Sequence, residues 1–208
     1  MFQSMTMCLL SLVAVFLTAG ARAGEFNPVL SIGDSAPVWS DLPGTDGKRH
    51  SLADLADREL VVLVFTCNSC PSATDYEDRI ITLAKKFAAH GVEFVAVNVN
   101  KVPEDSFEEM TKRAEAKKFP FVYLFDETQQ IAKDYGATFT PEFFVLDKSR
   151  KIAYMGGMDD SSYESMVTKR FLEPAIEAVL AGGKVDPTET TAIGCQIRYE
   201  RTRRRPTK

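Results

Sequence analysis

The sequence predicts an α/β sandwich with a mixed central sheet, and three observations carry that reading. The run Leu60–Phe65 is continuously apolar, without alternation, and reads as a central strand covered on both faces, and residues 92–99 read as a second buried strand. Segments with apolar residues at helical spacing separate the runs and follow them. Two later strands, 142–146 and 152–155, are joined by Asp147-Lys148-Ser149-Arg150 as a β-hairpin, and a last helical region comes after them. Strands that alternate with helices and then close on a hairpin and a helix argue for an α/β sandwich with a mixed sheet. At 208 residues, 45% hydrophobic and 26% charged, the chain is long enough for one domain with a sizeable core.

The elements follow in order. Residues 9–20 are almost wholly apolar, too few to span a bilayer, and end at Ala21-Arg22-Ala23, a small-x-small site. Residues 1–23 are therefore read as a secretory signal cut before Gly24, which predicts an exported, periplasmic or extracytoplasmic protein. Only an uncleaved leader would tie the chain to a membrane. Residues 25–30 look like a short linker. Asp46-Gly47 within Leu42-Pro43-Gly44-Thr45-Asp46-Gly47-Lys48 suits a hairpin turn, and Ser51 opens a brief helical turn. A helix over 71–90 carries Ala73, Tyr76, Ile80, Leu83, Ala84 and Phe87 on its apolar face, with Gly91 as its C-terminal cap. Asp105 or Ser106 caps the next helix, Ser106 and Glu109 having capping-box spacing. Residues 121–125 form a third strand, and a short helix opened by Asp126 and Gln129 ends at Gly136. Residues 161–181 form the final helical region, kinked near Pro174 and stopped by Gly182-Gly183. The domains are thus a signal at 1–23, a compact unit at 24–182 and a tail at 183–208.

The formal net charge is −4, and removal of the leader with Arg22 makes it −5. The last twelve residues hold Arg198, Arg201, Arg203, Arg204, Arg205 and Lys208 against Glu200, which leaves the body at about −10. A basic run of this kind is read as a solvated end, and export removes it from nucleic acid. Without Cys8 of the leader, Cys67, Cys70 and Cys195 remain. An odd number excludes a disulfide-stapled scaffold.

Cys67-Asn68-Ser69-Cys70-Pro71 lies at a strand-to-helix turn, where two cysteines separated by two residues form a dithiol redox pair. Cys67 is expected at the helix N-terminus, where unpaired N–H groups and the helix dipole favour a thiolate. Cys70 is expected three residues further in, shielded. Two other readings stand beside this one. In a metal site the two thiolates would need His50 or His90, which fall at a turn and at a helix end. In a redox-inactive fold the cysteines would be structural. Cys195 is either a tethered or free thiol without a catalytic part, the plainer expectation, or a third redox cysteine trading disulfides with the pair.

The order strand, Cys-x-x-Cys, helix, strand, helix, strand, helix, X-Pro, hairpin, helix resembles the thioredoxin fold. It is similar to the extended redoxin branch with an N-terminal β-hairpin and a strand-helix insertion, which includes peroxiredoxin-related proteins and exported thiol-disulfide reductases. The match rests on Gly33-Asp34-Ser35-Ala36-Pro37, Phe65-Thr66-Cys67-Asn68-Ser69-Cys70-Pro71, Asp126-Glu127-Thr128-Gln129 and Tyr135-Gly136-Ala137-Thr138-Phe139-Thr140-Pro141. It covers residues 30–182, and Ile193-Gly194-Cys195-Gln196-Ile197 also resembles the end of some exported redoxins. The resemblance implies a thiol-disulfide oxidoreductase with Cys67 attacking and Cys70 resolving. It puts Thr140-Pro141 opposite the cysteines, with a cis proline whose neighbouring backbone pairs with an extended substrate. It implies no organic cofactor and no metal. The partners it implies are protein disulfides or thiols and a protein that donates or accepts electrons. Thr66 replaces the tryptophan usual before the first cysteine. Val61 stands where many thioredoxins bury an acid, so Glu77 on the helix flank, or solvent alone, is the alternative proton carrier. Leu60 and Val64 occupy the positions of the peroxidase proline and hydroxyl residue, against the rival reading of a thiol peroxidase.

Overall fold

A computed structural model describes residues 24–200; residues 1–23, read above as a secretory signal, and the basic run at 201–208 lie outside the described residues. The centre of the fold is β3, Leu60–Phe65, whose six residues are all fully buried. Five strands order as β5-β4-β3-β7-β8, where β4 is Val92–Asn98, β5 Val122–Phe125, β7 Glu142–Leu146 and β8 Ile152–Gly156. β4 runs parallel to β3 and β5 parallel to β4, while β7 is antiparallel to β3 and β8 to β7. The sheet is mixed, and the fold is thioredoxin-like.

Alternation along β3 divides the core. Leu60, Val62 and Val64 face a cluster built with α1 (Pro71–Phe87), Met110 of α2 (Phe107–Lys117) and α4 (Leu172–Leu180). Val61, Leu63 and Phe65 face Trp39, Leu52, Ile197 and the short α3, Gln130–Asp134. Each such fully buried Val, Leu or Phe side chain contributes roughly 1.5–3 kcal/mol relative to exposure. β3 is therefore held rigidly, and so is the turn that leaves it. Ahead of the sheet, β1 (Leu42–Pro43) and β2 (Arg49–His50) pair as the short N-terminal hairpin. Its turn uses Gly47 at φ 78°.

Three boundaries differ from the sequence reading. The helix read over 161–181 is confined to α4. Pro174 falls in the first turn of α4, where a missing N–H costs nothing, so it starts the helix instead of kinking it. Residues 161–170 form a loop because better partners than helical ones hold their backbone. Arg79 binds the carbonyls of Ser161 and Ser162, and the Asp160 carboxylate accepts the N–H groups of Thr168 and Lys169. Residues 25–30 are packed rather than a free linker: buried Asn27 accepts from the N–H groups of Val29 and Leu30 and donates to the Tyr135 carbonyl.

The compact unit also does not stop at 182. Residues 188–190 bond alongside Met155, and the Cα of Gly156, at φ 134°, lies so close to Thr190 that a side chain there would meet its carbonyl at 2.1 Å. Further on, β9 (Cys195–Gln196) pairs antiparallel with β6 (Phe139–Thr140), and Ile197 is buried. The segment read as a tail is, up to residue 200, part of the packed body.

Candidate active site

Cys67 lies just beyond the C-terminal end of β3, where Thr66 closes onto the Val97 carbonyl at 2.9 Å. Cys70, not Cys67, stands at the helix start. It is the N-cap of α1 in extended conformation, and its sulfur accepts the Ala73 N–H at 3.4 Å. The cause is Pro71, since a residue before proline is pushed out of the helical region and the helix cannot begin earlier. The expected placement of Cys67 at the helix N-terminus with Cys70 further in is thus corrected. Cys67 occupies the loop three residues before the cap.

Both cysteines are buried, at 3% and 2% exposure. The neighbouring thiols separate each other's titrations: Cys67 pulls Cys70 down, to about 4, and Cys70 holds Cys67 well above the ordinary thiol range. At Cys67, burial adds to the rise and so does the Asp105 carboxylate, while the hydroxyls of Thr140 (3.4 Å) and Ser69 (3.8 Å) oppose it. At Cys70, burial opposes the fall, but the Cys195 thiol, the Ala73 N–H and the Cys195 N–H reinforce it. In the reduced pair these shifts favour the proton on Cys67 and the charge on Cys70. The Cys70 sulfur also lies 3.2 Å from the Thr140 carbonyl oxygen, a hydrogen bond only while Cys70 is protonated.

The Thr140-Pro141 peptide bond is cis and faces the pair. The buried Glu142 beside it accepts the N–H groups of Thr138 and Phe139 at 2.7 and 2.9 Å, and burial raises its pKa. The backbone edge of β6, where the resemblance implies an added substrate strand, is taken by β9 of this same chain, with Thr140 opposite Cys195.

Asp105 is the residue that sequence reasoning missed. It was read as one of two alternative helix caps, yet the cap of α2 is Ser106. Asp105 is fully buried and grips the turn instead, accepting the N–H groups of Asn68 and Ser69 at 2.7 and 2.8 Å and the Ser69 hydroxyl at 2.6 Å. It lies more than thirty residues downstream, and nothing local signals the contact. Asp105→Asn keeps an acceptor for the loop amides and removes the charge. Cys67 is then expected to titrate lower, and its alkylation by iodoacetamide at neutral pH to quicken by up to about tenfold per unit of fall. An unchanged rate, read by mass spectrometry at each cysteine, would reduce Asp105 to a brace for the loop.

The other candidates lie apart from the sulfurs. Glu77 borders the small apolar pocket beside Cys67, but Arg113 holds its carboxylate through two hydrogen bonds of 2.8 and 2.7 Å, and no hydrogen bond joins it to either cysteine. That ion pair withdraws it as the proton carrier. Val61, Leu60 and Val64 are fully buried in β3. His50 bonds Asp46 at 3.0 Å and His90 ends the turn after α1. Among the described residues no group of three or more His, Cys, Asp and Glu side chains could hold a metal ion, and no helix is long and apolar enough to cross a membrane.

Comparison with known proteins adds the family. Residues 32–155 match the model of the AhpC/TSA family. The thiol-disulfide oxidoreductase ResA of Geobacillus thermodenitrificans is 29% identical over 148 residues, 69% of this chain and 79% of that protein. Two solved structures superpose on most of the chain. An uncharacterized conserved protein from Geobacillus kaustophilus has a TM-score of 0.79 at 35% identity, covering 85% of this chain and 96% of that one. A hypothetical protein from Sinorhizobium meliloti 1021 has a TM-score of 0.78 at 31% identity, covering 84% and 97%.

Proposed function

The chain belongs to the AhpC/TSA family of thioredoxin-like redoxins, and from that premise we propose that it is a thiol-disulfide oxidoreductase that acts on protein disulfides through the Cys67/Cys70 dithiol. The observation that carries this reading is the buried Cys67/Cys70 pair at the start of α1, packed against the cis Thr140-Pro141 bond. Cys67 attacks one sulfur of a substrate disulfide and passes its proton to the Cys70 thiolate, so no separate base is needed where Val61 replaces an acid. The leaving substrate thiolate takes that proton from Cys70. The Cys70 thiolate then attacks Cys67 in the mixed disulfide, forming the Cys67–Cys70 bond and releasing the second substrate thiolate, which is protonated by solvent. Cys67 is assigned the attack because Cys70 is surrounded by Cys67, Thr140, Ala73 and Cys195. A substrate strand that used Thr140 and Pro141 would have to displace β9, a pairing of only two residues.

The leader at 1–23 supports an exported site of action, and a thiol or dithiol protein closes the cycle in either direction. Insulin reduction driven by dithiothreitol tests the reading. The wild type is expected to accelerate it, and neither Cys67→Ser nor Cys70→Ser should. A wild type no faster than buffer would leave a redox-inactive binding module. The thiol peroxidase alternative has no polar group to activate peroxide at Leu60 or Val64. Stopped-flow oxidation by hydrogen peroxide is accordingly expected to be no faster than that of a free thiol. Oxidation many times faster would restore the peroxidase.

A further inference from the structure

The catalytic pair is buried, yet a third cysteine meets it from the surface. Cys195 is exposed and lies on β9, directly opposite Thr140 in the register. The same Thr140 touches Cys67 through its hydroxyl at 3.4 Å, approaches Cys70 with its carbonyl at 3.2 Å, and bonds the Cys195 carbonyl at 3.4 Å. Three sulfur-bearing residues therefore surround one threonine. The Cys195 thiol and N–H both act on the Cys70 sulfur, and this contact raises the Cys195 thiol, to about 11. The approach depends on Gly194, where a side chain would meet the Thr140 carbonyl oxygen at 2.0 Å and the Pro141 nitrogen at 3.1 Å.

We propose that Cys195 is a third redox cysteine that carries the disulfide from the buried pair to the surface. The inference rests on the dithiol reading above and adds the point at which an external thiol enters. After the Cys67–Cys70 disulfide forms, the Cys195 sulfur, having lost its proton, attacks the sulfur of Cys70. The Cys70–Cys195 bond forms, the Cys67–Cys70 bond breaks, and Cys67 leaves as a thiolate that takes up one proton. No oxidant is consumed, because the step is exchange. An external thiolate then attacks the exposed Cys195 sulfur and releases Cys70. A second thiol resolves the resulting mixed disulfide, restoring Cys195 and leaving the two external thiols joined as a disulfide. The two electrons thus reach the buried pair without an external thiol approaching it.

Disulfide mapping after acid quench and alkylation tests this on the chain from Gly24 to its end, equilibrated in glutathione buffers. Cys67→Ser is expected to oxidise to a Cys70–Cys195 disulfide. In the wild type, re-reduction of the oxidised protein by glutathione is expected to be at least tenfold faster than in Cys195→Ser. Gly194→Ala keeps the Cys195 thiol but forces β9 off Thr140, so it should lose the Cys70–Cys195 disulfide and share the slow re-reduction. A wild type that forms the Cys67–Cys70 disulfide and reduces insulin, while Cys67→Ser forms no Cys70–Cys195 bond, would overturn the relay and leave the oxidoreductase intact. Equal re-reduction rates in wild type and Cys195→Ser would overturn it as well. A wild type that never forms the Cys67–Cys70 disulfide would overturn both.

Discussion

Cys70→Ser is expected to accumulate mixed disulfides with protein substrates through Cys67, while Cys67→Ser accumulates none. Removal of Cys70 deletes the sulfur that resolves the intermediate, so turnover should stop after the first step. It also deletes the thiolate that holds the Cys67 titration high. The Cys67 thiol should then fall toward the ordinary range near pH 8.5, and adduct formation should rise with pH through that range. In Cys67→Ser the remaining buried sulfur faces Ala73, Thr140 and Cys195, and any mixed disulfide formed on Cys70 should be resolved by the Cys195 thiol, which closes the Cys70–Cys195 bond and releases the substrate as a thiol. The adducts should appear as higher bands on a non-reducing gel, collapse with reductant, and give the partners by mass spectrometry. Because β9 touches the site, the same comparison belongs in a Cys195→Ser background, where trapping by Cys70→Ser should persist. Adducts from Cys67→Ser and none from Cys70→Ser would hand the attack to Cys70, the sulfur that carries the charge at rest.

Residues 60–65 show why the sheet was readable in the chain. Six consecutive apolar residues, half of them β-branched, have no solvent-facing alternative, and the helix behind them has an unbroken apolar face from Ala73 to Phe87. The cysteines were readable because spacing and a following proline are local signals. What stayed hidden is non-local. Pro174 is compatible with both a kink and a first turn, and the choice was made by Arg79 and Asp160 capturing the loop before it. β9 is two residues long with no alternation, and it exists only because β6 offers an edge and Gly194 permits contact. The charge distribution at the site turned on Asp105 and Cys195, whose side chains reach the turn from far along the chain. Placing the thiolate at Cys67 followed from the helix dipole alone, and Pro71 shifts the helix start past that residue.

Asp159→Ala is expected to cost about 3–5 kcal/mol of stability, because it leaves the Arg79 guanidinium buried without its counter-ion. The pair is nearly sealed: Arg79 is 5% exposed and Asp159 fully buried. The Asp159 carboxylate pairs with Arg79, accepts the Tyr76 hydroxyl at 3.0 Å and takes the Ser161 N–H at 3.3 Å. Arg79 lies 4.0 Å over the Tyr76 ring and binds the carbonyls of Ser161 and Ser162. One cluster thus ties the middle of α1 to the loop after β8, and with it the helix whose N-cap is Cys70. Arg79→Met should cost a comparable amount, since it strands the carboxylate and frees two carbonyls. The double variant Arg79→Met with Asp159→Leu leaves neither charge unpaired, so it should recover a large part of the loss, which is the sign of a buried pair rather than of two independent contacts. Urea unfolding followed by circular dichroism measures all three, with midpoints compared at constant slope. Single variants that lose less than about 1 kcal/mol would mean that the pair is solvated and worth no more than a surface bridge. A double variant as damaged as the sum of the singles would mean that the backbone carbonyls of Ser161 and Ser162, not the charges, are what Arg79 is there to hold.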